Sequence, residues 1–206
     1  MRTDTPGGPG GSNPLLGAIA ILRALRAGED IDNFMLARSV EAFEAAQAAM
    51  EVRAPTAVFV DFQSLLALAY RVSAERLSGA SVSLALAKAR EAGRYACRKA
   101  AEFEEKATDD LLKAFAFASD ETGRACLALA GHTDGEEAIE LLGDAAACLR
   151  VASTAYRRIG LDKPAQAADL RAFGARTAHA LAVEGRDHRA APLPAMSAGT
   201  RHRIVA

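Results

Sequence analysis

The chain has no tryptophan and few other aromatics, three Tyr and eight Phe in 206 residues. β-Branched residues are too sparse to build strands at regular spacing, which argues against a sandwich or barrel. Cysteine is limited to Cys97, Cys126 and Cys148. An odd number at long spacing, with no CxxC pair, supplies neither a disulfide framework nor a zinc ribbon. Each thiol is expected as a small buried apolar group in a reducing cytoplasm. Neither sign of charge is in excess: 25 basic and 26 acidic residues leave a net charge of −1, without the footprint of a nucleic-acid or anionic-membrane binder. Proline is absent between Pro55 and Pro164, so no helix in that span is broken by the proline route.

Alanine is what the chain does have, roughly a quarter of its residues, and alanine is the strongest helix former. The expected fold is all-α. Residues 1–12 are rich in Gly and Pro and form an N-terminal arm, and 186–206 form a C-terminal tail. The arm lacks the basic start and apolar run of a signal peptide. Residues 13–28 form a short amphipathic helix, with Asn13 as its cap, Pro14 in its first turn and Gly28 at its end. Its apolar stretch Leu15 to Leu25 is too short to span a bilayer, and no transmembrane segment is expected. That stretch packs on the core or docks on a partner or a membrane surface.

Residues 30–185 are expected to hold six long helices in a single domain. The first runs from Asn33 to Arg53, with Leu36, Val40, Phe43 and Met50 inward. The second starts at Thr56 and shows Val58, Phe62, Leu65, Ala69 and Val72, with Gly79 as its left-handed terminator. The third carries a seam, Val82, Leu86, Ala89, Gly93, Ala96, Ala100 and Phe103, at alternating four- and three-residue steps and filled mostly with small residues. Thr108 or Asp109 caps the fourth, and Gly123 within SDETG is a candidate kink. Thr133 and Glu136 have capping-box spacing for the fifth, whose expected inward residues are Ile139, Leu142, Ala146 and Leu149. The sixth should bury Ala167, Leu170, Phe173 and Leu181 and end at Gly185. Gly79, Gly131 and Gly185 lie 52 and 54 residues apart, which divides the domain into antiparallel hairpins at 30–79, 80–131 and 132–185. These stack as a short α-solenoid or close as a bundle.

Two junctions, AYRRIGLDKPAQAADL at 155–170 and ALAGHTDGEEAIELLGDAA at 128–146, resemble those between helices of tetratricopeptide-repeat proteins. The shared features are an Ala-rich helix, a Gly near its end, a short polar turn and small residues spaced along the next helix. The period here is near 52, whereas the standard repeat has about 34 residues. The resemblance implies a scaffold that binds proteins or peptides.

Local chemistry is sparse. None of His132, His179, His188 and His202 lies in an HExxH or Glu-x-x-His motif, so neither a metal site nor a cofactor is expected. No phosphate loop or nucleophile elbow occurs. The acids Glu102, Glu104, Glu105, Asp109 and Asp110 suit solvated helix ends. The remaining constellation is basic. Arg90, Arg94 and Arg98 stand at i, i+4 and i+8 on one helix face, suited to an anion or acidic peptide, and Arg157 and Arg158 extend the patch where the fifth helix lies nearby. The function expected is that of a non-enzymatic adaptor or regulatory scaffold for a protein or peptide, an acidic one if the stripe is the contact; self-association is compatible with it. The alternative is a helical-bundle enzyme or small-molecule sensor with a pocket between helices. The dominance of Arg over Lys, with abundant Ala, fits a GC-rich bacterial source.

Overall fold

The computed structural model describes residues 14–103 and 108–190, with side chains through 185. Among these the chain is all-helical, without a strand: α1 Pro14–Arg26, α2 Asn33–Arg53, α3 Thr56–Ala74, α4 Ala80–Ala101, α5 Asp109–Ala130, α6 Gly135–Arg158 and α7 Asp162–Ala190. The N-terminal arm, its Asn13 cap and most of the tail lie outside the described residues.

Local signals account for most boundaries. The Asp32 carboxylate accepts from the Met35 amide at 2.9 Å and opens α2. Pro55 separates α2 from α3. The Thr108 hydroxyl accepts from the Leu111 amide and opens α5. Gly160, at φ +73°, closes α6: its amide reaches the Arg157 carbonyl, and the Leu161 amide reaches that of Tyr156 at 2.9 Å.

Other signals act differently from expectation. α3 stops at Ala74, and Gly79, at φ +61°, stands immediately before α4. Gly131 is right-handed, and Gly185 lies inside α7, which continues to Ala190. The three glycines therefore do not share one repeated role. The Thr133 hydroxyl donates to the Leu129 carbonyl, so Asp134, not Thr133, stands at the N-cap of α6.

Neighbouring helices pack on one another along the whole chain. α3 is held most densely by α4 and then α5, while its contact with α2 is looser; α5 and α6 form the closest pair. α1 lies across α2 and α3, burying Ala18 and Leu22. Arg26 fixes it there, bonding Asp61 at 2.6 Å and Ser64 at 2.9 Å while its guanidinium covers the Phe117 ring. Among the described residues α3 alone is long and apolar enough to cross a membrane, and most of it is buried between its neighbours.

Small residues set the spacing. The α4 seam is buried from Leu86 through Ala100 as expected, but Phe103 at its end is exposed and Val82 at its start only partly covered. Val58 also faces outward, whereas Phe62 stacks on Phe43 with ring centres 4.3 Å apart. α6 buries Leu149 as expected, but Leu141 and Ala145 in place of Leu142 and Ala146, and leaves Ile139 partly exposed. α7 departs further: it meets α6 through Ala165, Ala168 and Ala175, which let the backbones approach, and turns Leu170, Phe173 and Leu181 outward.

Candidate functional site

A groove of about 580 Å³ runs between α2, α3 and α4. α2 contributes Glu44 and Gln47, α3 contributes Gln63, Leu66 and Tyr70, and α4 contributes Lys88, Glu91, Tyr95 and Arg98. The looseness of α2 against α3 leaves this furrow open.

Much of the rim is internally paired. The Tyr70 hydroxyl donates to Glu44, and Lys88 bonds the same carboxylate at 3.0 Å while lying over the Tyr70 ring. The Tyr70 bond holds the Glu44 carboxyl below its usual range; burial, then Glu44, pushes the Tyr70 phenol up. Tyr95 donates to Glu51, which pushes its phenol up to about 12, and its ring meets Phe59 edge-on beneath the Arg98 guanidinium.

Gln63 is unpaired. It is fully buried where α3 lines the groove, and neither its Nε2 nor its Oε1 has a hydrogen-bond partner among the described residues. An unpaired buried carboxamide costs about 1–3 kcal/mol. Ser64 beside it, equally buried, is satisfied by Arg26 and the Asp61 carbonyl. No sequence motif marked Gln63; the available signal was a polar pair inside the apolar run of α3.

The expected basic stripe divides. Arg90 bonds Asp144 of α6 at 2.7 Å, and Arg94 approaches the same carboxylate at 3.8 Å with its side chain half-exposed. Arg98 lines the groove. Arg157 pairs with Asp169 of α7, away from the stripe, and Arg158 is exposed at the end of α6. Thus α6 does approach the stripe, but by an acid rather than by its arginine pair.

A second polar centre lies inside the protein. Ser119 through Gly123, in the middle of α5, are all buried. Arg71 of α3 bonds Glu121 at 2.7 Å and reaches Glu75 at 2.7 Å, Arg124 bonds Glu121 at 2.9 Å, and Arg171 of α7 bonds Asp120 at 3.1 Å. Burial pushes the Asp120 carboxyl above its usual range; Glu121 adds to the shift and Arg171 opposes it. A shallow depression of about 370 Å³ over Arg71, Arg124 and Arg171 admits His132 at its edge. These arginines are already matched by carboxylates, which makes the centre a structural bracket between α3, α5 and α7.

Of the thiols only Cys126 is wholly buried; Cys97 and Cys148 are half-buried. Burial pushes Cys126 to about 11 and Cys148 to about 12. His179 is half-buried over Gly143, and His188 and His202 lie outside the described side chains. Among the described residues no three His, Cys, Asp or Glu side chains converge as a metal site.

No family model matches the chain, and neither a curated protein nor a solved structure matches it.

Proposed function

We propose that this protein is a non-enzymatic adaptor or regulatory scaffold that binds a protein or peptide across the open face of α2, α3 and α4. The observation that carries the reading is the groove itself: an open furrow whose lining mixes carboxylates, cations, phenols and carboxamides rather than a sealed apolar cavity. The contacts of α1 with α3 and of α3 with α5 support a short tetratricopeptide-like stack, paired as α1 with α2, α3 with α4 and α5 with α6, and closed by α7. That pairing is shifted by one helix from hairpins at 30–79, 80–131 and 132–185. An acidic partner would find Arg98 in the groove and Arg94 beside it. A cytoplasmic, bacterial setting belongs to the same reading.

The test is affinity capture with the intact chain and with a Glu91→Arg/Arg98→Glu variant, which inverts two exposed lining charges. A protein retained by the wild type and lost by the variant, at equal melting temperature, is the expected result. An identical retained set overturns the assignment of this face.

The second reading, a helical-bundle enzyme or small-molecule sensor, is favoured by one observation. The groove volume falls within the range of roughly 300–1,000 Å³ typical of small-ligand sites. A thermal-shift screen of metabolites separates the two, because a small ligand raises the melting temperature without any protein present.

A further inference from the structure

We propose that Gln63 reads the main chain of an extended peptide seated in the α2–α3–α4 groove. The inference rests on the adaptor reading and deepens it by naming what the groove recognises.

A carboxamide offers a donor on Nε2 and an acceptor on Oε1, side by side. In a buried setting both are ordinarily satisfied. Gln63 satisfies neither among the described residues, although it is fully buried and lines the groove. A leucine there would remove the penalty, and the surrounding run of Phe62, Leu65 and Leu66 shows that this part of α3 accepts apolar residues. The polar pair is therefore matched to something outside the fold.

The missing group must present an acceptor and a donor together. One residue of an extended chain does so, because its own C=O and N–H point to the same side, the geometry by which paired strands exchange two hydrogen bonds. Gln47, half-buried across the groove, likewise makes no hydrogen bond among the described residues and stands within the same furrow. A nucleobase edge carries the same donor–acceptor pair. The lining balances Glu44 and Glu91 against Lys88 and Arg98 and so offers no net positive charge for phosphates; the uncharged main chain of a peptide is the occupant that fits.

The experiment pans a phage library of random linear 12-residue peptides against the full 206-residue chain. Enriched peptides are then titrated against wild type and Gln63→Leu. We expect Gln63→Leu to bind at least tenfold more weakly while melting at the same or a higher temperature. Methylating each peptide amide nitrogen in turn should expose one position whose modification costs the wild type a similar factor and costs Gln63→Leu nothing further. Should Gln63→Leu fail to fold, Gln63→Met closes the same cycle. Peptides that bind wild type and variant equally, with no such amide position, overturn the role of Gln63 and leave the adaptor reading standing. A library that enriches nothing overturns the peptide-binding reading, and this inference with it.

Discussion

Gly93 of α4 and Thr122 of α5 occupy each other's space. A Cβ at Gly93 would fall well inside contact distance of the Thr122 hydroxyl and 3.4 Å from the Ala118 carbonyl oxygen. The hydroxyl cannot readily turn away, since it donates to that carbonyl at 2.7 Å. The small-residue seam thus brings two helices together at one defined point.

Gly93→Ala should therefore destabilise the protein by about 1–3 kcal/mol, the usual cost of overpacking. Thr122→Ala should recover part of that loss when combined with it, giving a non-additive cycle in urea denaturation. Strictly additive costs would mean that the two residues do not meet.

Glu121→Gln tests the internal bracket. Arg71 is nearly buried and would keep its bond to Glu75, which is largely exposed, and the more distant charge of Asp120. Removing one member of a buried pair typically costs about 3–5 kcal/mol. A loss of that order by calorimetry is expected, against a change within about 0.5 kcal/mol for an unremarkable surface substitution.

The pH dependence follows from Asp120. Its folded carboxyl binds a proton more tightly than the unfolded one, because burial and Glu121 disfavour the charge. Ionised Asp120 therefore diminishes stability at neutral pH, and the deficit fades as pH falls through the raised folded value. Asn imitates the neutral acid. Asp120→Asn should be more stable relative to wild type at pH 7 than at about pH 3, below the ordinary carboxylate value, and a pH-independent difference in urea unfolding would refute the assignment.

Reversing Arg94 to Glu addresses the stripe. Arg94 is half-exposed, and its contact with Asp144 is long, so its loss should cost under about 1 kcal/mol. The reversed charge faces Asp144 while Arg90 remains bonded to that carboxylate. Folding should survive. An acidic partner should bind more weakly and with a shallower dependence on salt; equal affinity would leave Arg94 as a solvated residue.

Helix boundaries were legible because their signals are local: Pro55, Thr108 and Gly160 act within one turn of chain. The inward face of α7 was not. Its alanines and its large apolar residues form two stripes of similar period, and the choice between them is made by α6, whose small residues admit the alanine side. Gly79 misled for a related reason: it offers the right conformation at a turn without saying which helix the turn serves. The stripe of Arg90, Arg94 and Arg98 was visible as spacing, but Asp144 lies some fifty residues away in sequence and no local pattern announces it. Gln63 escaped notice altogether, since a single glutamine is distinguished only by the partners it lacks.

The order of packing along the chain has a kinetic consequence. The substantial contacts join helices that are first or second neighbours in sequence, from α1 through α7. Contacts between adjacent helices can form after a short loop closes, and those between second neighbours after one further helix docks, an order that favours faster folding than long-range pairing. Unravelling should then begin at the ends, where α7 packs substantially on α6 alone and α1 makes only limited contact with α2 and α3. The amides of α5, enclosed by α3, α4 and α6, should exchange with solvent last.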